Sequence, residues 1–172
     1  MWLKASDWTR YDDGWNCPLQ ISAAESRRNG FFLFYTAGGA QEWRMECNWN
    51  HVTSGEGLYT AIINMATYGV SLNKWFMVTI SRQAEAVFKQ YIDGKLIQTT
   101  TTADGATDPR SVKTYNTDWP SMAGDCLIGN YRTADNHEFQ GEIGPVRIYK
   151  GSSLSDEEVL QNFNAQRGRF GV

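Results

Sequence analysis

The sequence predicts an all-β sandwich with one short C-terminal helix. Short apolar runs recur along the 172 residues and alternate with clusters of turn residues, which is typical of sandwich strands rather than of alternating strands and helices. The dipeptide Asp93–Gly94, flanked by β-prone residues, predicts a tight hairpin. Aromatic residues make up 13% of the chain, with seven Trp and eight Tyr, and large flat rings suit sheet surfaces.

The apolar runs predict ten strands, and the hairpin is the clearest pair. We expect residues 87–91 to pair with residues 95–99, because Asp93 and Gly94 accept the positive φ angles of a two-residue type I′ turn. The predicted strands are residues 2–5, 18–23, 31–36, 42–52, 58–65, 75–81, 86–92, 95–100, 125–130 and 142–149.

The start of the helix is predicted by its capping residues. Ser155 and Glu158 have the spacing of a capping box, in which each side chain accepts a hydrogen bond from the other residue's backbone amide. Leu154 and Val159 flank the cap as a hydrophobic staple. Two acids in the first turn suit the positive end of the helix dipole. We therefore expect the helix to begin after Ser155.

The periodicity that follows predicts how the helix packs and where it ends. Val159, Leu160 and Phe163 share one helical face. Gly168 is the expected stop, because glycine adopts the left-handed conformation that ends many helices. We expect a short helix packed on a sheet.

Composition and charge exclude several classes of protein. The chain is 41% hydrophobic and 20% charged, as in globular domains, and it has no apolar run long enough to span a membrane. Its net charge of −3 and absence of a basic block argue against nucleic acid as a partner. Its first residues do not resemble a signal peptide, so we expect synthesis in a reducing cytoplasm.

The three cysteines, Cys17, Cys47 and Cys126, do not predict a disulfide framework. They cannot all pair within one chain, and they lack the spacing of a zinc site. Cys47 alternates with apolar residues in its strand, which indicates a buried, reduced thiol.

Several segments, taken in chain order, resemble a known family. They are Lys74–Thr79 (KWFMVT), Tyr91–Leu96 (YIDGKL), Cys126–Asn130 (CLIGN), Phe139–Tyr149 (FQGEIGPVRIY) and Leu154–Asn164 (LSDEEVLQNFN). Together they resemble the laminin-G-like, concanavalin-A-like lectin/glucanase domains, which implies an antiparallel jelly-roll sandwich. The closing residues 162–171 are similar to the end of such domains in bacteriophage structural proteins.

The start of the chain departs from this family. Such domains usually open with a strand before the one that corresponds to Trp2–Lys4, and that strand pairs with the final strand. Residues 1–172 are thus expected to form a single domain that lacks its first strand. We expect the chain to be part of a longer polypeptide, the alternative being a strand supplied by another chain through β-augmentation.

The residues expected of an enzyme are missing. The family's hydrolases carry Glu-x-Asp-x-x-Glu on one strand, and no such triplet occurs here. The acids at 156–158 are explained by helix capping. His51 and His137 lie in polar surroundings without a nucleophile turn, which favours ordinary surface residues. We therefore predict a protein that is not an enzyme.

Three loops are the candidate binding regions: residues 6–16, 101–124 and 131–138. Sugars stack on aromatic rings and bond to planar polar side chains, and these loops contain both. Trp2, Trp43, Trp49 and Trp75 fall in predicted strands, whereas three loop Trp do not, and ligand contact, loop packing and subunit contact are the alternatives for those three. The predicted carbohydrate-binding residues are Trp8, Tyr11, Trp15, Tyr115, Asn116, Asp118, Trp119, Arg132, Asp135 and Asn136.

No cofactor is predicted with certainty, and the resemblance adds Ca²⁺ as a candidate. Calcium prefers hard oxygen ligands, which the loop aspartates offer without EF-hand spacing. Solvation is the simpler explanation of these acids. They are Asp12, Asp13, Asp118, Asp125 and Asp135.

Three hypotheses about function follow. The first is a noncatalytic structural or adhesion module of a bacteriophage particle, made in the host cytoplasm, that contacts other virion subunits or itself and binds cell-surface glycans. The second is a carbohydrate-binding domain of a larger secreted, extracellular bacterial protein. The third is a glycoside hydrolase or lyase with atypical carboxylates.

Overall fold

The computed structural model describes residues 1–7, 16–22, 30–38, 40–48, 58–84, 87–100, 126–130 and 138–172. Within these ranges, ten strands form two five-stranded sheets, and two short helices follow the last strand. The strands are β1 (Trp2–Ala5), β2 (Asn16–Ser22), β3 (Gly30–Gly38), β4 (Ala40–Asn48), β5 (Leu58–Asn64), β6 (Phe76–Ala84), β7 (Val87–Ile92), β8 (Lys95–Thr100), β9 (Cys126–Ile128) and β10 (Gly141–Ile143); the helices are a 3-10 turn (Met65–Tyr68), α1 (Asp156–Asn164) and α2 (Arg167–Phe170).

The strand order matches an antiparallel sandwich. The first sheet runs β10-β1-β6-β7-β8 and the second runs β5-β4-β3-β2-β9. Every pair of neighbouring strands in the two sheets is antiparallel. Each predicted strand overlaps one of the ten observed strands. The predicted all-β class is therefore confirmed.

The apolar core lies between the two sheets. Leu3 and Ala5 of β1 are fully buried, and they pack with Phe76 and Val78 of β6. Leu19 of the second sheet joins the same cluster. Because side chains alternate along a strand, Trp2 points to the opposite face of the first sheet. The two faces of β1 are thus both covered.

Trp2 organises the second apolar cluster, on the outer face of the first sheet. It is 1% exposed, and its ring stacks on Phe170 at a centroid distance of 4.2 Å and on Phe163 at 5.6 Å. Its indole Nε1 donates a hydrogen bond to Oε1 of Gln166 at 2.9 Å. The polar end of the ring is thereby satisfied, as burial requires. This contact fastens both C-terminal helices to β1.

The predicted hairpin is confirmed. Asp93 and Gly94 have φ angles of 50° and 76°, and Ile92 pairs with Lys95 across them. A bulge between Gln90 and Tyr91 shifts the register further along the pair. Asp93 also joins the hairpin to β6, because its amide donates to the Met77 carbonyl at 2.9 Å and its Oδ1 accepts from the Met77 amide at 2.7 Å.

The predicted capping box is also confirmed. The Glu158 amide donates to Ser155 Oγ at 3.2 Å, and the Ser155 amide donates to Glu158 Oε2 at 2.8 Å. The next residue, Asp156, ties α1 to the sheet through one oxygen, Oδ1. This oxygen accepts from Lys89 Nζ at 2.7 Å and from the Tyr91 hydroxyl at 2.8 Å. The first turn of α1 is therefore fixed to β7.

Burial and this hydrogen bond alter the acidity of both partners. Burial of Tyr91, and then its bond to the Asp156 carboxylate, raise the pKa of the tyrosine above its usual range. The bonds from Lys89 and Tyr91 lower the pKa of Asp156. Asp93 behaves in the opposite way, since burial raises the pKa of its carboxyl group.

The predicted end of the helix is wrong. Residue 168 lies inside α2, and Gly171, with φ of 71°, is the left-handed residue that ends it. The helix that begins after Ser155, α1, already ends at Asn164, and α2 is a separate short helix whose Phe170 stacks on the Trp2 ring. Leu160 also departs from the prediction, since it is 44% exposed while Val159 and Phe163 are buried. It lies at the rim of the packed face, against Gly94.

The last predicted strand, residues 142–149, is too long. Strand β10 ends at Ile143, and the last contacts with β1 are those of Gly144 and Pro145 with Trp2. Beyond them no strand in the described ranges lies alongside, and Ile148 is 61% exposed. A local apolar pattern cannot show whether a neighbouring strand is present, which explains the error.

Gly141 permits the close approach of β10 to β1. A Cβ atom at this position would lie 2.2 Å from the Lys4 carbonyl oxygen and 2.9 Å from Cα of Ala5. Both contacts are with backbone atoms, which cannot move away without breaking the strand pair. A side chain is therefore excluded at this position.

We predict that Gly141→Ala lowers the free energy of unfolding by about 3 kcal/mol or more, through overpacking and backbone strain. The matched control is Gly151→Ala, where φ is +86° and no atom lies within 4 Å of the added Cβ. The control substitution should lower the free energy of unfolding by about 1 kcal/mol, from backbone strain alone. Urea unfolding measures both variants, and equal losses would contradict the steric argument.

A second prediction concerns acid unfolding. A lowered pKa in the folded state stabilises the fold above the ordinary pKa of aspartate, and this contribution is lost as the pH falls through the folded value. Asp156→Asn should therefore lower Tm at pH 7 by about 3 °C, as expected for a half-exposed ion pair worth about 1 kcal/mol. The difference in Tm between Asp156→Asn and the wild type should shrink as the pH is lowered below 4.

Asp93→Asn is the matched control for this prediction. Asn keeps an oxygen that accepts from the Met77 amide, and it removes a charge that burial disfavours. Its Tm at pH 7 should be unchanged or higher. Thermal unfolding from pH 3 to pH 8 compares the two variants, and an equal loss in both would show that the Asp156 bonds do not stabilise α1.

Candidate functional site

All ten residues predicted to bind carbohydrate lie outside the described residues, so their roles remain predictions. The same is true of His51, His137, Trp49 and the five candidate calcium ligands. The structure does describe the residues at which the three candidate loops begin and end. Those anchoring residues determine which loops start from the same end of the sandwich.

Two of the predicted loops have their ends at one place. They are residues 6–16, of which 8–15 lie outside the described residues, and residues 131–138, of which 131–137 do. The first follows β1, where the Ser6 amide donates to the Gln140 carbonyl at 3.0 Å. It returns at β2, where Cys17 forms an isolated bridge with Glu138. Since Gln140 and Glu138 directly follow the second loop, the two loops are anchored side by side.

The base of the second loop is held by backbone hydrogen bonds. The Gly129 amide donates to the Pro18 carbonyl at 2.9 Å, and the Phe139 amide donates to the Gly129 carbonyl at 2.8 Å. Phe139 is 9% exposed and belongs to the core cluster, so the loop returns to a fixed point. The anchors of both loops are thus part of the rigid sandwich.

The third loop, predicted at residues 101–124, is anchored at the opposite end. It leaves β8 at Thr100, which pairs with Phe88 near the start of β7, and this part of β7 pairs with the end of β6. Strand β1, in contrast, ends beside the start of β6. It enters β9 at Cys126, which pairs with Ile21 at the end of β2 away from the Cys17 bridge. The sequence did not indicate this separation, because strand pairing decides it.

The ten predicted residues therefore divide into two groups by their anchors. The group on the two adjacent loops is Trp8, Tyr11, Trp15, Arg132, Asp135 and Asn136; the group on the third loop is Tyr115, Asn116, Asp118 and Trp119. The first group combines aromatic rings with a guanidinium, a carboxylate and an amide, which is the chemistry that sugar recognition requires.

Five of the carboxylates that the structure describes serve structural roles. Glu142 pairs with Lys4 at 2.7 Å, Asp93 accepts from Met77, and the acids at 156–158 cap or anchor α1. In the described ranges, no three His, Cys, Asp or Glu side chains are grouped as metal ligands. Calcium at the loop aspartates remains a prediction.

Two cysteine side chains lie among the described residues. Cys17 is buried and its Sγ lies 3.4 Å from the Leu19 carbonyl oxygen, and Cys126 is exposed. The side chain of Cys47 lies outside the described residues.

Among the helices that the structure describes, none has the length and apolar character of a membrane-spanning segment.

The chain has a low similarity to a solved structure. Among solved structures, the chain is similar to an S-layer domain-containing protein (residues 221–444) from Clostridium thermocellum, with a TM-score of 0.41 and 15% identity over 93% of this chain and 68% of that one. This likeness is too low to support an argument about function. No curated protein matches.

A family model gives the stronger result. The laminin G model described as the concanavalin A-like lectin/glucanases superfamily matches residues 1–160. This range includes both sheets, the anchors of all three loops and the first turn of α1. The chain belongs to the concanavalin A-like lectin/glucanases superfamily.

Proposed function

We propose that this chain is a noncatalytic carbohydrate-binding and adhesion module, with its binding surface on the loops at 8–15 and 131–137. The observation that carries the proposal is that both loops are anchored side by side on the family's sandwich. Side chains for stacking and for hydrogen bonding would then meet on one surface.

The noncatalytic part of the proposal has separate support. Retaining hydrolysis needs two carboxyl groups roughly 5 to 5.5 Å apart beside the glycosidic bond. The described acids with assigned contacts are used in ion pairs and caps, and the sequence lacks the family's carboxylate triplet. Binding without cleavage is the function that fits these residues.

We further propose a bacteriophage particle as the setting, in which the chain would contact other virion subunits or copies of itself. The resemblance of residues 162–171 to the ends of such domains in bacteriophage structural proteins supports this setting. The alternative is a domain of a secreted bacterial protein. Capsid and tail genes beside the coding gene would favour the particle, and secretion genes would favour the alternative.

Substitution of the loop tryptophans tests the binding site. On a glycan array followed by saccharide titration, Trp15→Ala should weaken binding about tenfold, since a lost ring contact is worth about 1.4 kcal/mol. Trp119→Ala tests in the same titration whether the third loop, anchored at the other end of the sandwich, contacts the sugar. Tyr68→Ala is the control, because Tyr68 is a 42% exposed ring outside the loops and should bind as the wild type does. Lack of saturable binding to any glycan would refute the lectin function.

A designed cross-link tests whether the two loops are neighbours. Ser6 and Gln140 are exposed and joined by a backbone hydrogen bond, and opposite residues of antiparallel strands lie within disulfide range. In a Cys126→Ser background, Ser6→Cys/Gln140→Cys should oxidise to a disulfide, seen as the loss of two titratable thiols. The control pair Ser6→Cys/Thr99→Cys, at opposite ends of the sheet, should stay reduced. Free thiols in both pairs would contradict the loop arrangement.

A further inference from the structure

Three exposed arginines lie around the aromatic stack at the C-terminal end of α1. The Cζ atom of Arg169 is 5.7 Å from the Phe170 ring centroid, and that of Arg167 is 6.0 Å from the Phe163 centroid. Arg147 donates from Nη1 to Asn162 Oδ1 at 3.2 Å. Since the Phe163 and Phe170 rings both stack on Trp2, the three guanidinium groups surround one cluster.

These positive charges are not neutralised within the described part of the chain. The ion pairs there join Lys4 to Glu142 and Lys89 to Asp156, and none involves the three arginines. The acids of α1 are at its other end, and a nine-residue helix is about 13 Å long. Within the described residues, this small surface therefore carries three positive charges without a paired acid.

Partly exposed rings lie beside these charges. Trp75 and Phe170 are both half-buried, and their centroids are 4.9 Å apart at an interplanar angle of 55°. An aromatic face accepts the C–H face of a sugar ring, and a guanidinium group binds a carboxylate through two parallel hydrogen bonds. The two features together match a sugar that carries a carboxylate.

We propose that this arginine–aromatic patch, made of Trp75, Arg147, Arg167, Arg169 and Phe170, binds an acidic polysaccharide through its carboxylates. The half-burial of both rings disfavours insertion into a bilayer, which needs protruding apolar groups. The patch lies on the outer face of the first sheet, so it is separate from the loop surface of the proposed function.

Titration of the intact chain with polygalacturonate tests the proposal, with neutral dextran as the uncharged comparison. The wild type should bind polygalacturonate saturably and with an affinity that falls as salt is raised. Arg147→Gln/Arg169→Gln should weaken binding about tenfold, through the loss of charge-assisted hydrogen bonds. Lys4→Gln/Lys95→Gln removes the same net charge elsewhere and should change the affinity less than about twofold.

The outcomes separate this proposal from the loop site. Trp15→Ala should leave polygalacturonate binding unchanged, whatever it does to other glycans. Arg167→Gln is a second, single variant that should also weaken binding, and near-ultraviolet circular dichroism checks that each variant is folded. No binding by the wild type, an equal loss in the lysine control, or equal binding to RNA or to phosphatidylglycerol vesicles would overturn the proposal.

Discussion

The burial of Trp2 is the contact on which the outer half of the structure depends. Its ring is enclosed by Phe163 and Phe170 from the end of the chain, and its Nε1 is satisfied by Gln166. Because β1 lies between β10 and β6, this one residue joins the first sheet to both C-terminal helices. Without the helices, the outer face would expose a large apolar surface, which a stable monomer avoids.

The same arrangement separates the two surfaces that we assign to binding. The core between the sheets, built around Leu3 and Phe76, holds the ends of the strands at which the candidate loops are anchored. The cluster around Trp2, on the other face of β1, supports the arginine–aromatic patch. Alternation along a strand therefore gives one rigid scaffold two chemically different faces. Loops on such a scaffold vary without disturbing the core.

Local features were predictable wherever a few neighbouring residues suffice. The Asp93–Gly94 turn and the Ser155–Glu158 capping box depend on short-range backbone geometry, and both were predicted correctly. The predicted length of the last strand, residues 142–149, was wrong because a strand needs a pairing partner, and that partner is distant in sequence. For the candidate site, the sequence allowed us to predict which residue types bind sugar. It did not show that the three loops are anchored at two different ends of the sandwich, because that depends on strand order.

The sequence by itself determined the all-β class, the hairpin, the start of α1 and the family, because these follow from periodicity, turn chemistry and motif order. Only the tertiary structure decided that Trp2 meets Phe170, that Asp156 binds Lys89 and Tyr91, and that two loops share one end. The physical reason is that burial and strand pairing join residues far apart in the chain, and no local pattern records which of them meet.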